Sequence, residues 1–322
     1  MKAIQIHQTG GPEVLRVAEL PIPEPGPGQV LIRVEATGVN FIDVYFRKGT
    51  YKASLPLVPG SEAAGTIEEM GPGVNGFKAG DAVASVSVLG SYAEYALVPV
   101  ASLVKIPAAL SMEQAAAAML QGMTAHYLGY STFPLKAGDT TLIHAAAGGV
   151  GLLLTQMATR LGARVIATVS TEEKAELARI AGATDVILYT EKEFEPEVKR
   201  LTAGKGVDVV YDSVGKTTFE GSLNSLRPRG LLALFGAASG PVPPFDLIQL
   251  SSKGSLFITR PTLWHYIGTR ADLEWRAGDV LNWIAAGDLK LRTEHLYPLA
   301  EAAQAQRDLE GRKTTGKLLL EP

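Results

Sequence analysis

The chain of 322 residues contains no cysteine. Disulfides, thiolate nucleophiles and every cysteine-ligated zinc site are therefore excluded. Histidine is sparse: the five residues His7, His126, His144, His265 and His295 show no short spacing that would set two of them on one metal. There is no dense Lys/Arg run, and 30 basic against 33 acidic residues leave a net charge of −3, so no nucleic-acid partner is expected. No stretch approaches the roughly 20 apolar residues of a membrane span. The segment Met1–His7 lacks the apolar core of a signal peptide. A cytoplasmic protein with no membrane contact is the expectation.

What is present divides the chain in two. The first hundred or so residues read as β-rich: Lys2–His7, Leu15–Glu19, Gln29–Val39, Ala63–Met70 and Ala82–Val86 are short apolar runs separated by Gly/Pro turns. Pro21, Pro23, Pro25 and Pro27 form an extended connector. From Ser111 the texture turns helical, with Ser111 placed to N-cap a first helix and a second expected over about Gly122–Ser131. Beyond 140, strands expected at Thr140–Ala146, Arg164–Val169, Asp185–Tyr189, Val207–Asp212, Leu231–Phe235 and Ser255–Thr259 alternate with helices. That is an α/β pattern, a doubly wound parallel sheet of six strands. Two further helices, about Asp272–Ala286 and Leu299–Leu309, and the strand-like Lys317–Leu320 close the chain. Domains are expected at 1–122, 123–260 and 261–322, the last returning to complete the first.

The densest signal is Thr140 to Val169. A strand runs into the turn Ala146-x-Gly148-x-x-Gly151, the turn opens a helix, and a second strand follows. In this βαβ context the glycines mark a dinucleotide site. Gly148 lets backbone approach a pyrophosphate, Gly151 lets helix pack on strand, and Gly149 and Val150 offer N–H donors at the helix start. Ala146 stands where the first glycine is usual. The end of the second strand reads Ser170-Thr171 with Lys174 one turn on, and no carboxylate for a ribose 2′-hydroxyl. Hydroxyls plus a cation suit a 2′-phosphate, so NADP(H) is the expected cofactor. Glu172 and Glu173 favour the start of the next helix; a solvated helix-face charge is the other reading of Lys174.

Several motifs now appear in order: Pro23-x-Pro25-x-Pro27-Gly28-x-Val30, Gly38-Val39-Asn40-Phe41-x-Asp43, Pro59-Gly60-Ser61-Glu62-x-Ala64-Gly65, Gly80-Asp81-Ala82-Val83, Gly90-Ser91-Tyr92-Ala93-Glu94-Tyr95 and Gly138-Asp139 to Gly151. Over essentially the whole chain they resemble the medium-chain dehydrogenase/reductase superfamily. Asn40-Phe41-Ile42-Asp43 and Ala145-Ala146-Ala147-Gly148-Gly149-Val150-Gly151 resemble its quinone oxidoreductase, zeta-crystallin-like branch. The resemblance implies a GroES-like catalytic domain joined to a Rossmann domain. The zinc alcohol dehydrogenases of the superfamily carry Gly-His-Glu where this chain has Gly60-Ser61-Glu62. Glu62 alone cannot supply the three protein ligands of a catalytic zinc, so no metal is expected.

The resemblance also implies a set of site residues. Asn40, Phe41, Asp43 and Tyr45 would line the nicotinamide side, with Thr124 and Tyr127 at the domain junction. Tyr45 and Tyr51 would stack a ring substrate, Tyr having both an aromatic face and a hydroxyl. Tyr189 would join Ser170 and Lys174 at the 2′-phosphate, and Ser213, Phe235, Gly236, Ala237 and Thr259 would end successive strands beside the cofactor. Arg260 would donate toward a substrate carbonyl or else form a structural ion pair, and Arg312 would be a late basic contact to the adenosine phosphates or else a surface cation. The cleft would lie between the domains, at the carboxyl ends of the strands. Without zinc, hydride goes to an acceptor that is already electrophilic. A quinone is the first choice; the alternatives are an α,β-unsaturated ketone or aldehyde, and a non-catalytic NADPH-binding role. A homodimer is expected through the outer strand of the Rossmann sheet.

Overall fold

The structure, a computed structural model, describes residues 1–88 and 90–322. It divides into two compact units, Met1–Met123 with Ile267–Pro322, and Thr124–Tyr266. Tyr266 belongs with the second because its ring stacks on Tyr127 at 4.3 Å and its hydroxyl accepts from Thr132 Oγ1 at 2.9 Å.

In the first unit, the described residues form a seven-stranded sheet. Its order is His295–Pro298, Leu318–Glu321, Gln29–Val39, Ala63–Met70, Ala82–Ser85 and Val104–Lys105, with Tyr95–Pro99 also paired to Gln29–Val39. Every pairing is antiparallel except that of His295–Pro298 with Leu318–Glu321. On one face of the long strand, Val30, Ile32 and Val34 enter a core with Ile67, Val83 and Val98; Arg33 between them is exposed, while Leu31 on the other face is buried as well. Each such side chain contributes about 1.5–3 kcal/mol when fully buried. Its far end, Val39, enters a second core with Ile4, Tyr92, Leu299 and Leu318.

The second unit holds six parallel strands in the order Asp185–Leu188, Arg164–Val169, Thr140–Ile143, Val207–Asp212, Leu226–Leu234 and Phe257–Thr259. Strand order reverses between Thr140–Ile143 and Val207–Asp212, the switch point at which doubly wound sheets bind ligands. The apolar strands meet helix residues such as Val198, Phe219 and Leu223 in one core.

Several elements differ from expectation. Ser111 caps as expected, exchanging hydrogen bonds with Gln114 (Gln114 N to Ser111 Oγ, 3.2 Å; Ser111 N to Gln114 Oε1, 3.0 Å). The two helices expected beyond it are one, Met112–Tyr127, running into a wide turn Leu128–Thr132. Gly122 does not break it; a Cβ there would stand 2.5 Å from Val280 Cγ1, so the glycine admits a packing neighbour. The strand expected to Ala146 stops at Ile143, because Ala145 turns to φ 50°. The helix Phe41–Lys48 and the strand Tyr95–Pro99 were not expected at all. Among the described residues, no helix is long and apolar enough to cross a membrane.

Candidate active site

The glycine turn is built as the spacing demands. Gly148, in extended backbone at φ −77° and ψ 170°, is the N-cap of the helix Gly149–Arg160. The N–H groups of Gly149, Val150 and Gly151 open that helix and have no intrahelical acceptor, which makes the turn an anion cradle. The residue in left-handed backbone is Ala145, so the position aligned with the usual first glycine, Ala146, needs no such freedom. Gly151 is the tightest fit: a Cβ there would lie 2.4 Å from Ala145 O and 2.7 Å from Ala146 Cα.

Neighbouring strand ends carry the other expected cofactor residues of this unit. Thr171 N-caps the helix Glu172–Ile180 by accepting from Lys174 N at 3.3 Å, which sets Lys174 in the first turn just past Ser170. Thr190 Oγ1 donates to Ser170 O at 2.9 Å and Tyr189 N to Val169 O at 3.1 Å, so Ser170 and Tyr189 end adjacent strands. Tyr189 is 39% exposed, a rim residue with its ring available. Phe235 N and Gly236 N both donate to Asp212 O, at 2.9 and 3.4 Å. A Cβ on Gly236 would lie 2.4 Å from Ser213 O, so only glycine lets these strand ends approach. Ala237 and Thr259 follow at the ends of the last two strands.

Two residues of this unit are less open than expected. Tyr127 is buried, and its phenol is pushed well above the usual range by burial, then by Tyr266, with Arg260 opposing. Thr124 is also buried, inside the helix Met112–Tyr127. Arg260 is exposed, immediately past the edge strand Phe257–Thr259.

In the first unit, the structure gathers Asn40, Phe41, Asp43, Tyr45 and Tyr51 around the helix Phe41–Lys48. Asn40 is its N-cap, and Asp43 Oδ2 accepts from Asn40 N at 2.9 Å as in a capping box. The Asp43 carboxylate also accepts from Tyr92 Oη at 3.0 Å and is buried, so its polar work is internal. Burial pushes its pKa up to about 7, against the pull of Asn40 N–H, Tyr92 O–H and Lys317. The Asn40 side chain is likewise engaged: Nδ2 donates to Glu62 Oε2 at 2.8 Å and Oδ1 accepts from Lys317 Nζ at 2.7 Å. Tyr45 and Tyr51 meet edge to face at 5.3 Å, with Phe41 and Phe46 beside them. Tyr51 is 39% exposed. Arg312 is exposed, at φ 56° in the turn after Ala302–Glu310.

Sequence reasoning missed Lys317. It is buried and ion-paired with Glu62, while Glu62 Oε1 takes the backbone N–H of Leu120. Both carboxylate oxygens of the one acid left from the zinc-dehydrogenase pattern are thus occupied by the protein itself. Among the described residues, no three of His, Asp and Glu cluster as metal ligands would.

Comparison with known proteins follows the same lines. Residues 26–108 match the alcohol dehydrogenase GroES-like domain and residues 149–278 the zinc-binding dehydrogenase family. A quinone oxidoreductase of Pseudomonas aeruginosa is 47% identical over 100% of this chain and 99% of its own. A 2-haloacrylate reductase of a Burkholderia species is 45% identical over 99% of this chain and 98% of its own. The crystal structure of Escherichia coli quinone oxidoreductase complexed with NADPH superposes with a TM-score of 0.98 at 43% identity, covering 100% of both chains. With fold, glycine turn and full-length similarity in agreement, this chain belongs to the quinone oxidoreductase branch of the medium-chain dehydrogenase/reductase superfamily.

Proposed function

We propose that this protein is an NADPH-dependent quinone reductase that passes reducing equivalents from the nicotinamide to a quinone without zinc. The observation that carries the zinc-free reading is the engagement of Glu62. It stands in Gly60-Ser61-Glu62, and Lys317, Asn40 and Leu120 N–H saturate its carboxylate. Residues 123–260 take the NADP-binding role, and 1–122 with 261–322 the catalytic one.

NADPH, when bound, supplies the hydride; the chain's own residues bind and orient. Gly149 and Val150 N–H groups hold the pyrophosphate at the helix dipole's positive end. Ser170, Lys174 and Tyr189 recognise the 2′-phosphate, with a cation and hydroxyls where an NAD enzyme places a carboxylate. Ser213, Phe235, Gly236, Ala237 and Thr259 form the floor of the cofactor site. The edge-to-face pair Tyr45 and Tyr51 receives the flat acceptor ring, and their hydroxyls can donate as charge develops on a quinone oxygen. A quinone is electrophilic without a Lewis acid, so orientation and a dry site are what the protein must add. Arg260 and Arg312 remain assigned as donors to substrate carbonyl and adenosine phosphates.

The 2-haloacrylate reductase among the relatives favours a second reading, reduction of an alkene conjugated to a carbonyl or carboxyl group. The protein is further taken as cytoplasmic and homodimeric. Support for the dimer comes from the edge strand Phe257–Thr259, whose Phe257 is 60% exposed, and from Leu247 and Ile248 at the start of the preceding helix Ile248–Ser252, 73% and 68% exposed.

The test is oxidation of NADPH followed by absorbance, with benzoquinone, a naphthoquinone and a simple enone, each repeated with NADH and with a chelator. Chelator-resistant turnover of quinone by NADPH is the expected result. Turnover of the enone alone would move the protein to the alkene reductases. Binding of NADPH without turnover of any acceptor would leave a binding protein.

A further inference from the structure

Beneath the glycine turn lies a histidine that the proposed mechanism does not use. His144 is buried at the end of the strand Thr140–Ile143, immediately before left-handed Ala145. Its Nδ1 lies 2.8 Å from Thr168 Oγ1 and its Nε2 3.0 Å from Ser222 Oγ. Ser222 Oγ donates to Asp212 Oδ2 at 2.8 Å. The same carboxylate accepts from Thr218 Oγ1 at 2.7 Å and from the N–H groups of Val214 and Gly215 at 2.8 and 2.9 Å.

Donor and acceptor roles are set by the carboxylate. Ser222 Oγ donates to Asp212 Oδ2, so the hydroxyl spends its proton there and must accept from His144 Nε2–H. Nδ1 is then unprotonated and accepts from Thr168 O–H. Burial lowers the imidazole pKa, with Asp212 opposing, which favours the neutral ring. The chain therefore runs in one direction, from Thr168 through His144 and Ser222 to Asp212. Phe194 closes it edge-on at 4.8 Å.

This chain joins three strand ends. Thr168 stands two residues before Ser170, and its carbonyl accepts from Ala146 N inside the glycine turn at 3.2 Å. Asp212 stands one residue before Ser213, and its carbonyl takes Phe235 N and Gly236 N. His144 itself pairs its N–H with Tyr211 O at 3.1 Å and leads directly into the turn. A left-handed alanine costs about 1 kcal/mol or more and persists only where its surroundings hold it.

We infer that His144 is a positioning residue for the cofactor: through Thr168 and Ser222 it holds the glycine turn, the Ser170 strand end and the Ser213 loop in the register that receives NADPH. The inference rests on the proposed NADPH-binding role of this unit. A ring with two opposed nitrogens is what bridging two hydroxyls demands, and a purely apolar filler cannot do it.

The test measures NADPH dissociation constants, KM for NADPH and kcat at saturating NADPH for wild type, His144→Phe, His144→Gln and Ser222→Ala. Val198→Ala, in the same core but outside the chain of hydrogen bonds, is the stability control. His144→Phe keeps the volume without polar atoms and should weaken NADPH binding about tenfold, with kcat within about twofold. His144→Gln, which restores a donor toward Ser222, should recover part of the loss. Ser222→Ala should weaken binding about threefold or more, and it decides the matter if His144→Phe does not fold. Wild type that binds no NADPH would overturn the cofactor reading and this inference with it. Wild type that binds, with His144 and Ser222 variants no weaker than Val198→Ala, would overturn this inference alone.

Discussion

Lys317 and Glu62, 255 residues apart in the chain, close one buried ion pair whose third member is Asn40. The pair joins the last strand, Leu318–Glu321, to the start of Ala63–Met70 and to the cap of the helix Phe41–Lys48. Breaking such a pair on one side leaves an uncompensated charge out of water, at a cost of about 3–5 kcal/mol. Lys317→Met should therefore destabilise the protein strongly in chemical denaturation. Adding Glu62→Gln removes the stranded charge, so the double variant should be more stable than the sum of the single losses. Additivity within about 0.5 kcal/mol would mean that the two charges are not coupled.

Gly148 and Gly151 separate binding from folding. The backbone of Gly148 is one that any residue adopts, and a Cβ there would stand 3.1 Å from Ala145 O. Gly148→Ala should lose much less melting temperature than Gly151→Ala, since Ala145 O need give only slightly, yet bind NADPH at least about tenfold more weakly, because the methyl group occupies the pyrophosphate's approach. Gly151→Ala puts a methyl group 2.4 Å from Ala145 O, and something must shift. That variant should lose both stability and binding. Equal melting temperatures for the two would contradict the close contact of Gly151 with the Ala145–Ala146 turn.

These contrasts mark what sequence could and could not supply. The strands of the second unit were legible because each is a compact, largely apolar run bounded by turn residues, and the glycine spacing lay within one βαβ unit. Lys317 was not legible: a lysine opening an apolar strand looks like a solvated end, and its partner lies hundreds of residues away. Asn40 and Asp43 show the opposite case. Their spacing is that of a capping box, but beside a family motif it read as a contact list, and the eight-residue helix they begin went unseen. His144 carried no local signal, since its partners Thr168 and Ser222 come from two other elements.

Tyr45 and Tyr51 should be separable by acceptor. Their rings meet at 5.3 Å, and Tyr51 N donates to Tyr45 O at 3.1 Å, so the pair is held as a unit. Tyr45→Ala should raise KM for a naphthoquinone by about tenfold, since an aromatic contact and its buried area are worth on the order of 1–1.5 kcal/mol. KM for NADPH should stay unchanged. A rise in KM for NADPH alone would move Tyr45 from the acceptor to the cofactor.

Lys174 tests the choice between the two nicotinamide cofactors. A hydrogen bond to a charged group contributes about 1.5–3 kcal/mol, so Lys174→Ala should raise KM for NADPH by about tenfold to a hundredfold. NADH has no 2′-phosphate and should be used as before. The Thr171 cap is separate: Thr171→Ala should cost about 1 kcal/mol of stability with the cofactor preference intact. Equal effects of Lys174→Ala on both cofactors would remove it from the phosphate site.

Asp43 should give the protein a distinct pH dependence. Its carboxyl ionises near 3.8 when unfolded but holds its proton to about 7 when folded, chiefly because it is buried. Between those values the folded state binds more protons than the unfolded, so stability falls as pH rises, and the loss is complete above about 7. The full effect is at most about 4 kcal/mol at roughly 1.4 kcal/mol per pH unit. Asp43→Asn keeps an oxygen to accept from Asn40 N and Tyr92 Oη but cannot ionise. The variant should thus gain on wild type between about pH 4 and about pH 7 in melting temperature, and the gain should level off above about pH 7. Parallel profiles for the two proteins would show that Asp43 is ionised throughout this range, its charge held by Lys317 and the two donors after all.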